Sequence, residues 1–298
     1  MNNDNKQLEF TGERFTPECE REIWYEHYHR YAFAKKLVKD KDILDIASGE
    51  GYGSAILADY AKSVTAIDID VSSIDHANNK YHKDNLTYQQ GSCLQIPCDD
   101  NCFDVVVSFE TLEHLAEQTQ MLAEINRVLK VDGLLIISTP DKKHYSDATG
   151  FTNEFHVKEL YKHEFQELLD AHWKQQIWYA QAMSFHSVLE KLDNDEIKKR
   201  DNCYSSDILD VNNFIQDDKL LNPMYYIVVA TKQKKQIVNL PDLHLFADKS
   251  QSIYGHYNAV IRAHIEYLNK YTNLKIKYDK LFAIPVLGKI LSYFIKNN

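Results

Sequence analysis

Two aspartates and three glycines carry the plainest chemical signal in the chain: Asp45-x-x-x-Gly49-x-Gly51-x-Gly53, then Asp68 nineteen positions after Gly49. Glycines at alternate positions let a turn pass close to a ligand with no Cβ in the way. A carboxylate at the end of the following strand can accept hydrogen bonds from both hydroxyls of a ribose. The dinucleotide fingerprint asks for glycine or alanine at its third position, which here is Ser54. A second group of reactive types follows at Glu110-Thr111-Leu112-Glu113-His114, and a third over residues 141–157 with Asp141, His144, Tyr145, Asn153, Glu154 and His156.

These residues need elements to position them, and the apolar pattern supplies an alternation of strands and helices. Ile43, Leu44 and Ile46 read as a buried parallel strand, 54–60 as a helix, and 64–67 as a second strand ending in Asp68. A helix over 71–82, a strand over 86–90 and a continuous apolar strand over 103–109 follow. Glu110 then falls at the carboxyl end of a parallel strand, where open α/β sheets bind ligands. A helix over 118–130 and a strand over 134–139 lead to a long loop, 141–157, of the kind that is usually functional. The next helix carries Val157, Leu160, Tyr161, Phe165, Leu168 and Leu169 as its apolar stripe. Strands over 176–182 and 225–231 close the sheet as an antiparallel pair, with 184–223 read as an insertion bordering an acceptor site.

Ahead of the first strand, Pro17 suits the first turn of a helix running to about Val38. It holds Trp24, Tyr25, His27, Tyr28, His29, Arg30 and Tyr31. Two readings stand. The helix packs on the sheet with Ile23, Tyr31 and Leu37 inward, or it forms a lid in which Tyr25, His29 and Arg30 reach a cofactor, Arg30 or a histidine facing its carboxylate end.

The chain has 298 residues, 44% hydrophobic, enough for one large domain and an appendage. Its net charge of −10 argues against a general nucleic-acid binder, which needs a basic face. With no apolar leader and no apolar run of about 18 residues, a cytoplasmic location is expected. Five cysteines, an odd count, read as free thiols, and Cys93, Cys98 and Cys102 lack C-x-x-C pairing, so no metal site is expected. Residues 1–9 are polar and expected to be disordered, and 233–250 to be a linker. Beyond it Ile253, Tyr257, Val260, His264, Tyr267, Tyr271, Leu274, Tyr278 and Leu281 recur at steps of three and four, a heptad seam predicting a self-associating coiled coil. The last helix, over 284–296, is too short to span a bilayer; it lies in a membrane interface or docks in an oligomer hub.

The glycine-rich motif with an acid at both strand ends, together with EINRVLKVDGLLIISTPDK, resembles the class I S-adenosylmethionine-dependent methyltransferases. Residues 10–232 resemble in particular the bacterial methyltransferases of surface-polysaccharide clusters, O-antigen and capsule, through GERFTPE, YEHYHRYAFA, ASGEGYGSA, FETLEHL and NEFHVKELY. The resemblance implies a seven-stranded Rossmann-like α/β fold, S-adenosylmethionine as cofactor, and a sugar hydroxyl of a lipid- or nucleotide-linked glycan as acceptor. It implies that Asp45, Ala47, Gly49 and Gly51 line the methionine part and that Asp68 holds the ribose. Ile69, Ser92 and Cys93 would flank the adenine, Ser92 standing where an aspartate is frequent, and Phe109 and Glu110 would close the floor. A sugar hydroxyl should lose its proton as the bond forms, a task that suits histidine. His156 is the preferred base, His114 the second candidate, with Glu110 or Asp141 orienting or replacing them. Two other readings remain, a quinone-type or small-molecule methyltransferase and a non-catalytic adaptor acting through the coiled coil. The intact Asp45, glycines and Asp68 speak against the adaptor.

Overall fold

The computed structural model describes residues 15–17, 19, 22–184, 206–208, 215–217, 222–233 and 240–286. The expectations for residues 1–9, for the helix over 284–296 beyond its first turn, and for most of the 184–223 insertion lie outside these residues. The chain divides into two units, Met1–Phe246 and Ala247–Asn298.

The first unit is built on seven strands. They are β1 (Asp42–Ile46), β2 (Ser63–Asp68), β3 (Leu86–Gln90), β4 (Phe103–Phe109), β5 (Leu129–Pro140), β6 (Gln175–Gln181) and, after a small antiparallel pair β7 (Ser206–Ile208) and β8 (Ile215–Asp217), β9 (Tyr225–Thr231). The order is β3-β2-β1-β4-β5-β9-β6, with β9 antiparallel to both neighbours and the other large-sheet pairs parallel. This is the Rossmann-like seven-stranded architecture that the sequence pattern and the resemblance imply. The chain runs outward from β1 to β3 and then returns to β4, so the order reverses between β1 and β4, and a crevice opens at their carboxyl ends.

Burial on both faces explains the unbroken apolar strands. Along β4, Val106 joins a layer with Met121, Leu122, Ile125 and Val128 of α4 (Gln118–Val128) and with Phe165 and Leu169 of α5 (Lys162–Asp170). Val105 and Val107, one step either side, join the opposite layer with Tyr31, Phe33 and Ala34 of α1 (Glu22–Ala34) and Leu57 of α2 (Tyr52–Ala58). A third helix, α3 (Val71–Lys80), starts at Asp70, whose side chain accepts from the amides of Ser72 and Ser73.

Three local expectations change. Ile23, expected inward on α1, is exposed. Val157 is 62% exposed, because α5 begins only at Lys162. The amides of Val157 and Lys158 instead donate to the Glu113 carbonyl (2.9 and 3.0 Å), which docks this stretch as a loop, and the Tyr161 amide meets the Glu164 carboxylate at 2.9 Å at the helix start. The expected linker is also docked at 240–246: the Tyr179 hydroxyl donates to the Pro241 carbonyl, and His244 and Phe246 pack on α1. In the second unit, α6 (Ser252–Phe282) is one helix of 31 residues, about 46 Å long at 1.5 Å per residue. Its seam residues Tyr257, Val260, Tyr267, Tyr271, Leu274, Tyr278 and Leu281 are exposed in the single chain. Among the described residues no helix is long and apolar enough to cross a membrane.

Candidate active site

The loop after β1 bends through left-handed backbone at Ala47 (φ 59°), Gly49 (56°) and Gly51 (91°). Such conformations are costly for a residue with a side chain and persist where the surroundings impose them. Here the surroundings are tight. A Cβ on Gly51 would stand 2.7 Å from both Ala77 Cβ and the Tyr88 ring, whose hydroxyl donates to the Gly51 carbonyl. One on Gly53 would meet the Tyr31 ring at 1.9 Å. The Gly49 amide donates to Asp68 Oδ2 at 2.7 Å and the Asp70 amide to Oδ1 at 2.9 Å, so the acid at the end of β2 ties the loop to its own strand. Asp45 lies beneath the loop and accepts from Ser54 Oγ at 2.6 Å. Burial pushes its carboxyl up to about 7, against the Ser54 hydrogen bond, with Asp68 adding to the rise. Glu50, which sequence reasoning did not select, is buried and accepts from His76, Lys80 and Tyr81, anchoring the loop to α3 and the residues after it.

Beside this loop Ile69 is 71% exposed, an apolar side chain standing clear at the mouth of the crevice. Ser92 Oγ accepts from the Leu94 amide at 3.1 Å and so stabilises its own turn. The Cys93 thiol is half-buried, and burial lifts it to about 11, so it stays a thiol.

On the other side of the crevice Phe109 ends β4 against the Tyr31 ring, and Glu110 takes a left-handed turn (φ 51°). Ser138 Oγ on β5 donates to Glu110 Oε1 at 2.6 Å, and Glu110 Oε2 stands 3.6 Å from Arg30 Nη2. Arg30 is buried, with Nε bonded to Gln181 Oε1 (2.9 Å) and the guanidinium 4.3 Å over the Tyr225 ring. Both of its terminal nitrogens are buried without a hydrogen-bond partner among the described residues. Glu26, one turn before Arg30, accepts from the Tyr225 hydroxyl, and burial raises its carboxyl to about 7, with Arg30 opposing.

Beyond Glu110 a short helical turn (Leu112–His114) carries Glu113, which is 1% exposed. Thr139 Oγ1 donates to its Oε2 at 3.0 Å, while Oε1 has no hydrogen-bond partner among the described residues. Burial first, and Glu110 second, push the Glu113 carboxyl well above its ordinary value. His114 and His156 meet edge to face, ring centroids 5.1 Å apart. His114 Nδ1 lies 2.9 Å from the Phe155 carbonyl and its Nε2 3.9 Å from Glu113 Oε1. His156 Nδ1 lies 2.6 Å from Glu159 Oε1, and its Nε2 lies 3.0 Å from the Asn153 amide nitrogen. The Phe155 amide donates to Asn153 Oδ1, which fixes that amide with its NH₂ toward His156.

The sequence of residues 44–137 matches the methyltransferase-domain family. Over that segment the chain is similar to a methyltransferase domain. A "Probable S-adenosylmethionine-dependent methyltransferase" of Mycolicibacterium smegmatis is 32% identical over 166 residues, 55% of this chain and 64% of that protein. A ubiquinone biosynthesis O-methyltransferase of Coxiella burnetii is 30% identical over 112 residues, 37% of this chain and 48% of that protein. The match thus spans less than two thirds of these relatives' length. The solved structure of the YcgJ protein of Bacillus subtilis has a TM-score of 0.49 at 17% identity, over 70% of this chain and 100% of that one.

The cofactor of the methyltransferase domain is S-adenosylmethionine, and the residues present fit it. Left-handed backbone and excluded Cβ atoms make the Gly49–Gly51 turn a cradle, Asp68 ends β2, and Arg30 presents buried terminal nitrogens that make no hydrogen bond among the described residues, one of them in an ion pair with Glu110. Arg30, from the lid reading of α1, therefore points into the domain's crevice. His29 does not: it is bonded to His244 at 2.9 Å and stacked on Phe246. Tyr25 packs against Trp24 and Phe246. Asp141 is buried and held by His144 Nδ1 at 2.5 Å, an acid–histidine pair of its own. His156, the preferred base, has both ring nitrogens engaged, whereas His114 faces Glu113. Sequence reasoning named Glu113 but gave it no role. The signal was its place in the run of reactive residues that follows β4 at the carboxyl end of a parallel strand.

Proposed function

We propose that this chain transfers the methyl group of S-adenosylmethionine to a sugar hydroxyl of a bacterial surface glycan. The observation that carries methyl transfer is the pairing, across the β1/β4 crevice, of a strained glycine cradle with the buried Arg30 guanidinium, whose two terminal nitrogens make no hydrogen bond among the described residues. Arg30 would hold the carboxylate of the methionine part, Asp68 the ribose, and exposed Ile69 one face of the adenine. When bound, S-adenosylmethionine supplies a methyl group already activated by its sulfonium. What remains for the protein is orientation, which can supply about 7–11 kcal/mol of barrier reduction in favourable cases. The acceptor proton must also be handled, and Glu110, Glu113 and His114 line that side of the crevice.

The glycan rests on the resemblance of the motifs, supported by one feature of the acceptor side. Tyr145 stacks on His156 and stands beside Phe151 and Tyr225, and Phe151 is 54% exposed. Aromatic rings of this kind pack on the apolar face of a sugar. They would equally pack on a flat ring, and the relation to the ubiquinone biosynthesis O-methyltransferase makes a quinone-type phenol the second reading. Alpha-helix α6 would join copies of the chain through its apolar seam and hold the domains near a lipid-linked acceptor at a membrane surface, where the methyl group would end chain growth. Labelled methyl transfer from S-adenosylmethionine to lipid-linked oligosaccharide, with a polyprenyl catechol as competitor acceptor, tests this. Label in the glycan supports the first reading. Label only in the catechol replaces it with the second.

A further inference from the structure

Glu113, His114 and His156 each offer a ligand atom, and these three atoms lie within 4.8 Å of one another. We infer that they form a binding site for one divalent transition-metal ion, with open positions toward the crevice.

Three observations carry this. The first is the composition, two imidazoles and one carboxylate, which suits zinc, iron, cobalt and manganese and leaves coordination positions for other ligands. The second is Glu113 Oε1, which is buried, without a hydrogen-bond partner among the described residues, and 3.9 Å from His114 Nε2. A buried carboxyl oxygen without a partner is costly, and a bound cation would complete it in place of the group's proton. Arg30 is the nearby cation, and it pairs with Glu110. The third is how the rings are held. Nδ1 of His114 is tied to the Phe155 carbonyl and Nδ1 of His156 to the Glu159 carboxylate. Metal-ligating histidines are oriented in this way, the far nitrogen donating to an oxygen so that the other presents its lone pair.

The docked loop that replaced the first turn of the expected helix makes the arrangement possible. By donating two amides to the Glu113 carbonyl, residues 157 and 158 bring His156 to His114. Ligands about 2.1 Å from one ion stand roughly 3–3.5 Å apart, so the cluster must close by about 1 Å. The Asn153 amide, which donates to His156 Nε2, must turn aside as it does so. The inference deepens the methyl-transfer reading and rests on it for its role: an acceptor hydroxyl bound to the ion would lose its proton to water as the O–CH₃ bond forms and the S–CH₃ bond breaks. His114 and His156 would then act as ligands, not bases.

The test uses the full chain without a histidine tag, stripped with EDTA and titrated with Co²⁺. The expected result is one Co²⁺ per chain, with visible d–d absorption and a rise in melting temperature. Glu113→Gln, His114→Ala and His156→Ala should each weaken it at least about tenfold. His264→Ala, on α6, should leave it unchanged. Absence of saturable Co²⁺ binding, or binding that all three variants keep, overturns the site. Circular dichroism of the stripped variants shows that they are folded. S-adenosylhomocysteine titrated into the same stripped samples separates the two readings. If it binds while Co²⁺ does not, only the ion is lost; if Co²⁺ binds and it does not, the methyl-transfer reading fails alone.

Discussion

The two sides of the crevice treat their buried charges differently. On the β1/β2 side the carboxylates are engaged: Asp45 by Ser54, Asp68 by two loop amides, Glu50 by three side chains. On the β4/β5 side one oxygen of Glu113 and both terminal nitrogens of Arg30 make no hydrogen bond among the described residues. On the β1/β2 side the buried carboxylates are satisfied as the chain folds. The other holds polar groups whose desolvation is uncompensated, the condition that a ligand relieves. The cradle is therefore expected to depend on backbone shape, and the acceptor side on charge.

The largest effect should come from removing the charge that spans the two. Arg30→Met leaves Glu110 without its buried partner, with an expected loss of about 3–5 kcal/mol of stability. Weaker S-adenosylhomocysteine binding should accompany it. Denaturant melts and calorimetry read both, and a variant as stable and as tight as the wild type would erase the contrast. Next is shape: Gly51→Ala puts a Cβ 2.7 Å from Ala77 Cβ at φ 91°. It should cost about 1–3 kcal/mol for each of strain and overpacking, and impair cofactor binding. Asp68→Asn is milder, expected to loosen the loop and weaken cofactor affinity about tenfold, roughly 1.4 kcal/mol.

A pH trend completes the comparison. Asp45 is lifted by burial to about 7 in the folded chain, so between about pH 4 and 7 the native state holds a proton that the unfolded chain has released. Its contribution to stability is full below pH 4 and lost by pH 7. The stability of wild type minus that of Asp45→Asn should therefore fall over that range. Buried His29, lowered to about 4, trends the opposite way but cancels in this difference. A flat difference would mean that Asp45 is ionised throughout.

The same contrast governs what could be read from the amino acids. The cradle is local: its strands, glycines and acids are contiguous, and their spacing alone predicts the turn that Gly49, Gly51 and Asp68 make. Arg30 was legible as a candidate, although its partners Gln181 and Tyr225 lie more than 150 positions away. The acceptor side depends on a distant backbone contact. The periodicity of Val157, Leu160 and Tyr161 resembles a helix, and nothing in it shows that the Glu113 carbonyl takes the amides of residues 157 and 158. That contact decides where His156 goes, so its pairing with His114 and Glu113 was hidden while each residue was in view. Likewise, the spacing along α6 showed a seam, and the structure adds that the seam is exposed in one chain. Sedimentation of the full chain should find an oligomer, and removal of residues 250–298 a monomer; a monomeric full chain would contradict the seam.

Calorimetric titration of the full-length chain with S-adenosylhomocysteine, with NAD as control, bears most directly on the central claim. The account predicts one site per chain, a micromolar dissociation constant, no heat from NAD, and a clear loss of affinity in Arg30→Met. Binding of neither ligand, or binding that Arg30→Met leaves untouched, would contradict it.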